Sequence, residues 1–226
     1  MSGERVPALD DAGRKSLETV LALLAEERAS VSSVVDKRAW KVHVEDSLTG
    51  LEVPVLHDGG RIADVGAGAG FPGLVLAVAL PDAQVDLIES VGRKCEFMNR
   101  AIEAAAIANA TVVNRRSEEW AQDRGREAYD IVTARAVARL STLAELASPL
   151  LKPSGALVAW KGKRDPGEEA QLERAAESLA MAPKQVLDVG GRAGSAHRHL
   201  HVIEKVGPTP SDLPRRPGIA KKRPRG

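Results

Sequence analysis

Between residues 9 and 52 the apolar positions recur at helical spacing. LDDAGRKSLETVLALLAEERA places leucines on one face, and AWKVHVEDSLTGLE resumes the pattern after a short break. From residue 61 the pattern changes to short β-type runs: RIADVG (61–66), QVDLIES (84–90), ATVVNRR (110–116), YDIVTARA (129–136) and ALVAWKG (156–162). Between them lie helix-like GLVLAVAL, RKCEFMNRAIEAAA, a short SEEWAQD turn and LSTLAELASPL. After DPGEEAQLERAAESLA come QVLDV (185–189) and HLHVIEK (199–205), with only a loop between them. Strands that alternate with helices predict a parallel sheet covered on both faces. The final pair lacks a helix and is expected to be an antiparallel hairpin. The pattern thus predicts an α/β, doubly wound, seven-stranded, mostly parallel sheet with an antiparallel last strand and an N-terminal helical extension. One domain is expected over 1–206, with helices in 1–58 and the sheet core in 59–206. There is no internal repeat, and LDVGGRAG (187–194), which imitates a glycine turn but precedes no helix, reads as a hairpin loop.

Composition narrows the class. Hydrophobic residues at 43% and charged residues at 28% suit a soluble globular chain. The lone cysteine, Cys95, forbids an internal disulfide and fits a reducing compartment. The first residues, MSGERVPALDDAGRK, lack the apolar core of a signal peptide, and the longest apolar run, Leu74 to Leu80, is too short for a bilayer. The expectation is a cytoplasmic protein without membrane or metal, and a monomer. The net charge of +1 hides an asymmetry. Residues 207–226 carry Arg215, Arg216, Lys221, Lys222, Arg223 and Arg225 against Asp212, a local +5 that leaves residues 1–206 at −4. Five prolines in that stretch predict a flexible basic arm without helix or strand. Such an arm serves either a polyanion such as RNA or solubility alone. If it serves RNA, its removal is expected to weaken RNA binding and leave cofactor affinity unchanged.

The candidate chemistry centres on DVGAGAGFPG, Asp64 to Gly73. Glycines at a strand-to-helix turn let a ligand touch bare backbone. Gly68, Gly70 and Gly73 satisfy the dinucleotide spacing. Counted from Gly66, with Asp64 at the strand end, the same turn suits S-adenosylmethionine, whose ammonium and sulfonium an acid favours directly or through water. Glu89, at the end of the second strand, can take ribose hydroxyls in either ligand. The third strand breaks the tie. Ser117 and Glu118 open a short helix from which backbone and side chain can reach an adenine edge, and they equally suit a helix N-terminus. Together with the helical extension and the terminal hairpin, this favours a methyl donor over a nicotinamide cofactor, and so a Rossmann-like methyltransferase fold.

Several pieces in order, HVEDSL (43–48), DVGAGAGFPG, LIESVGRKCEFM (87–98), RRSEEW, ARAVARL (134–140), AWKGK (159–163) and RHLHVIEK (198–205), resemble the bacterial 16S ribosomal RNA guanine-N7 methyltransferases, also called glucose-inhibited division protein B. The resemblance covers roughly residues 40–205. It implies methylation of guanine N7 in 16S rRNA near the decoding region, a small-subunit partner, and cofactor contacts at Gly66, Phe71, Glu89, Ser117, Glu118 and Arg135. Two departures stand out: VSSVVDKRAW replaces the family's Asn-Leu-Thr segment, and His197 replaces a glutamate before the last strand.

The residues also say which methyl acceptors fit. TARAVAR lacks the proline–aromatic turn used for exocyclic amines, and Cys95, set in a helix, reads as packing rather than the nucleophile that pyrimidine-carbon methylation requires. Guanine N7 has an in-plane lone pair, so no proton must leave first; orientation alone can supply ~7–11 kcal/mol. No catalytic base is therefore expected. Arg135, at the end of the fourth strand, can bind a carboxylate, offer its fork to guanine O6, or pair with Glu118 or Glu89. Lys161, Lys163, Arg164, Arg198 and His199 are candidate phosphate contacts along the cleft rim, joined by Arg215, Arg216, Lys221, Lys222 and Arg223 of the arm. His43, Asp46 and Ser47 share a helix face, either as a buried polar network or as pocket lining. The rivals are a nicotinamide-dependent oxidoreductase, a methyltransferase acting on another RNA or a small molecule, and a non-catalytic RNA-binding assembly factor.

Overall fold

The N-terminal leucine stripe forms α1 (Asp11–Glu26). Asp10 caps it by accepting the Gly13 N–H at 2.7 Å, and Leu17, Val20 and Leu24 are buried on one face. The computed structural model describes residues 9–27, 31–32, 34–58, 60–190 and 197–226. Residues 1–8, Ser33 of VSSVVDKRAW and residues 191–194 of LDVGGRAG therefore lie outside the described residues. A π turn (Trp40–Glu45) leads into α2 (Asp46–Leu48) and two 3-10 turns (Thr49–Glu52 and Pro54–Leu56).

The sheet region then runs β1 (Arg61–Val65), α3 (Gly73–Ala79), β2 (Gln84–Ile88), α4 (Gly92–Ala104), β3 (Ala110–Val113), α5 (Ser117–Trp120), β4 (Tyr129–Arg135), α6 (Leu140–Ala147), β5 (Leu151–Lys161), α7 (Pro166–Ala176), β6 (Met181–Asp188) and β7 (His199–Lys205), followed by α8 (Ile219–Lys222). The seven strands lie in the order β3-β2-β1-β4-β5-β7-β6. The first five are parallel, and β7 inserts antiparallel between β5 and β6. The α/β doubly wound sheet with an antiparallel last strand is thus present. Two strands begin earlier than the apolar pattern suggested, β5 at Leu151 and β6 at Met181. In β6 the chain turns through Ala180 in a left-handed conformation and enters the edge directly. Pro183 is tolerated there because an edge strand has one side without ladder partners, and the β6–β7 register slips beside it.

Because strand side chains alternate in direction, the sheet feeds two cores. Ile62, Ile131 and Val158 face α1, α3 and α4, whereas Ala63, Val132 and Leu157 face α6 and α7. Trp160 closes the first core at 1% exposure, and its indole N–H donates to the Asp46 carbonyl at 2.9 Å. It is part of the core. Among the described residues no helix is long and apolar enough to cross a membrane.

Residues 207–226 depart from the expected flexible arm. Leu213 and Ala220 are buried, and α8 is a short helix. The exit from β7 is anchored by the fully buried Lys205, whose ammonium donates to Glu127 Oε1, Thr209 Oγ1 and the carbonyls of Ser148 and Leu151. Proline content excludes long regular elements but not packing in turns, and the acidic body supplies partners that composition alone does not reveal.

Trp160→Phe keeps the ring but removes one of the two side-chain donors to the Asp46 carbonyl, leaving the Thr49 hydroxyl, an expected loss of ~0.5–1.5 kcal/mol. Gly50→Ala would place a Cβ 2.4 Å from the Trp160 ring, with an expected loss of ~1–3 kcal/mol from overpacking. Urea unfolding checks both; midpoints equal to the parent's would show that this turn does not lock the indole.

Candidate active site

The strand order reverses at β1, between β2 and β4, and the carboxyl ends of these strands carry the turn from Gly66 to Pro72. Gly66 has φ +69°, and a Cβ on it would meet Val137 at 2.8 Å. Gly68 has φ +62° but meets nothing closer than 3.8 Å, so its backbone face is open. Two acids hold the turn. Asp64, 1% exposed, accepts the Gly73 N–H at 2.9 Å and the Thr133 hydroxyl at 3.0 Å. Glu89, 7% exposed, accepts the Gly68 N–H at 3.1 Å on one oxygen and the Val91 N–H at 2.9 Å on the other, with Lys94 3.9 Å away. Burial pushes the Asp64 carboxyl up to about 7 against the lowering pull of its two hydrogen bonds.

Beyond β3, Arg116 serves as the N-cap of α5, its N–H accepted by Glu119 at 3.3 Å, while Ser117 is the first helical residue. Ser117 and Glu118 are both buried, and the serine hydroxyl donates to Glu118 Oε2 at 3.2 Å. Gly66, Glu89, Ser117 and Glu118 converge on one cavity of about 210 Å³. Four of the nine cofactor candidates therefore line a common space, with Gly68 tied to it through Glu89. Asp64, Gly70, Phe71 and Arg135 do not line it. Asp64 stands behind the turn, and the apolar sequence context gave no sign that its oxygens would be consumed internally. The cavity also includes Val137 and Thr142, which the helical pattern alone did not single out, and Gly218 and Lys221 from the C-terminal segment.

Arg135 pairs with neither Glu118 nor Glu89. Its Nη1 donates to Asp46 Oδ2 and to the Val42 carbonyl, each at 2.9 Å, and its Nη2 lies 3.3 Å from His43 Nδ1. Burial lowers the arginine's pKa, opposed by the Asp46 charge. His43 stacks on Phe71 with centroids 4.6 Å apart, and burial lowers its pKa as well. Asp46 also meets Arg198, Nε to Oδ1 2.6 Å, as a charge contact without hydrogen-bond alignment. The shared face of His43, Asp46 and Ser47 is thus a buried polar network, with Arg135 held inside it.

The rim cations divide. Lys161 pairs with Glu168 at 2.6 Å, Arg164 with Glu169, Arg198 with Asp46 and Arg215 with Glu145, while His199 Nδ1 lies 2.8 Å from the Gly162 carbonyl oxygen. Among the described residues, Lys163, Arg216, Lys221, Lys222 and Arg223 are exposed and have no acidic partner. Cys95 is buried, donates to the Glu89 carbonyl at 3.3 Å, and has its pKa raised by that burial; it packs rather than attacks. Among the described residues no group of His, Cys, Asp and Glu is arranged to hold a metal ion.

A family model described as GidB, rRNA small subunit methyltransferase G, matches residues 17–200. The protein named ribosomal RNA small subunit methyltransferase G from Staphylococcus carnosus is 36% identical over 226 residues, covering 96% of this chain and 92% of its own. The protein of the same name from Rubrobacter xylanophilus is 39% identical, covering 92% and 81%. Among solved structures, a predicted O-methyltransferase from Agrobacterium tumefaciens is 26% identical with a TM-score of 0.51, over 65% of this chain and 74% of that one. A SAM-dependent O-methyltransferase from Thermotoga maritima, 15% identical, shares the fold with a TM-score of 0.57 over 81% and 71%.

The folded protein holds the Asp64 proton more tightly than the unfolded chain, whose carboxyl has its ordinary value of 3.8. This contribution to stability is therefore full below about pH 4 and is lost as pH rises through about 7, by roughly a few kcal/mol. Asp64→Asn cannot ionise and can still accept from Gly73. Its thermal midpoint is expected to change less than the parent's between pH 5 and 8, and parallel profiles would refute the assignment.

Proposed function

Because the chain belongs to the rRNA small subunit methyltransferase G family, we propose that it transfers a methyl group from S-adenosylmethionine to N7 of a guanine in 16S rRNA near the decoding region. The observation that carries the cofactor reading is the occupation of the turn's donors by acids. A pyrophosphate would need the free N–H groups of the turn and the helix start. Here Gly68 N–H is bonded to Glu89 and Gly73 N–H to Asp64. The turn offers a bare backbone whose donors are already taken and which is edged by the Glu89 carboxylate, an arrangement that disfavours phosphates and suits a ligand that carries an ammonium and a sulfonium.

The remaining residues fit that ligand by donor set. Glu89 keeps lone pairs for ribose hydroxyls, and Ser117 with Glu118 provides the polar end of the cavity for an adenine edge. The bound cofactor supplies an electrophilic methyl on sulfur. The chain's own part is orientation: the glycine turn and Glu89 fix the nucleoside, and the Arg135–Asp46 pair stiffens the wall beside Phe71. No base is required, since N7 attacks with a lone pair already free. The buried, doubly bonded Asp64 and the packed Cys95 are not placed to act as base or nucleophile toward a substrate. Lys163, Arg216, Lys222 and Arg223 supply a non-specific grip on phosphates. The activity belongs in the cytoplasm, where ribosomal particles are, and the proposed enzyme is a monomer.

Tritium transfer from labelled donor into small subunits lacking the modification, followed by mapping of the labelled base, tests the reading. Label at guanine N7 is expected; label elsewhere would refute the specificity. Glu89→Ala is expected to weaken S-adenosylhomocysteine binding ~10–100-fold, in line with ~1.5–3 kcal/mol for hydrogen bonds to a charged group. Tight NADH binding by the parent would instead favour an oxidoreductase.

A further inference from the structure

The C-terminal segment, taken from its composition as a free arm, reaches the nucleoside cavity. Gly218, in a left-handed conformation with φ +81°, donates its N–H to Glu118 Oε1 at 2.8 Å. Gly218, Ala220 and Lys221 line the same cavity as Glu89 and Glu118. The segment is fastened beneath by Glu145, 2% exposed in its side chain, which accepts Arg215 through Nε at 2.6 Å and Nη2 at 2.5 Å. The same guanidinium donates to the Arg223 carbonyl at 2.8 Å, so one arginine closes the loop around α8 onto its buried acid. Thr142 Oγ1 adds a bond to the Ala220 carbonyl at 3.3 Å. Arg216, Lys222 and Arg223 are exposed without acidic partners and do not line the cavity.

We propose that residues 215–223 form the outer wall of the methyl-donor pocket, latched by Glu145 and Arg215, and that RNA phosphates bound to the wall's outer cations couple RNA affinity to cofactor affinity. The proposal rests on the methyltransferase reading and deepens it. Gly218 is a positioning residue: its N–H fixes the Glu118 carboxylate that faces the cavity. A guanidinium that fits its acid with two parallel contacts holds this wall rigidly. A polyanion drawn along the outer face presses the wall onto the nucleoside, and linkage makes the effect reciprocal. This replaces the expectation that loss of the segment would leave methyl-donor affinity untouched.

The test uses the full chain, calorimetry with S-adenosylhomocysteine, and titration with a 16S rRNA fragment in the presence and absence of that nucleoside. Glu145→Leu combined with Arg215→Leu removes the latch without leaving an unpaired buried charge. The double variant is expected to bind S-adenosylhomocysteine about ten-fold more weakly, and the parent's mutual enhancement of nucleoside and RNA is expected to disappear. Gly218→Ala, whose added Cβ meets nothing within 4 Å, is a second and local variant that does not burden the core; its nucleoside affinity should fall with the same sign. Affinity equal to the parent's in both variants would overturn the wall. A higher affinity would also overturn it, by making the segment a competing occupant. Failure of the parent to bind S-adenosylhomocysteine would instead overturn the methyl-donor reading, and the wall with it.

Discussion

A single carboxyl, almost wholly removed from water, joins the three elements on which the site is built. Asp64, next to last in β1, accepts the first N–H of α3 through Gly73, and takes the hydroxyl of Thr133 from β4. The helix start is thereby tied to the sheet from within, at the point where the strand order reverses. Glu89 ties the same turn from the side through Gly68. Held by both acids, the turn needs no ligand to acquire its shape, and a ligand that bound there would lose little to ordering the protein.

The periodicity of the chain carried most of the architecture. Continuous apolar runs bounded by turns marked the seven strands, and the missing helix before HLHVIEK announced the antiparallel last one. The positions of Glu89, Ser117 and Glu118 were legible because each follows a strand at the end where such sheets bind ligands. Other features depended on partners far apart in sequence. The pairing of Arg135 with Asp46 crosses 89 positions, and that of Gly218 with Glu118 crosses 100. No local pattern encodes such a choice when several acids compete for one cation. The C-terminal segment misled for a related reason: its prolines and cations describe what it cannot form alone, while Glu145, which holds it, sits in an apolar helix.

Asp46 shows how the N-terminal extension is fixed to the carboxyl-end face of the sheet. One buried carboxylate lies between Arg135 from β4 and Arg198 just before β7, with Trp160 of β5 bonded to the same residue's carbonyl. A buried acid with two guanidinium partners avoids the penalty of an uncompensated charge, and its geometry admits few alternatives. The extension thus acts as a rigid wall beside Phe71 and His43 rather than an appendage.

The two margins of the sheet have a different consequence. β3 has only four residues, and β6 is interrupted by Pro183, with Lys184 next to it reaching Glu204. Neither margin presents a long unbroken row of free backbone donors and acceptors. Another chain in a crowded solution would find little to extend, so the architecture itself discourages fibril-like stacking and strand exchange between copies.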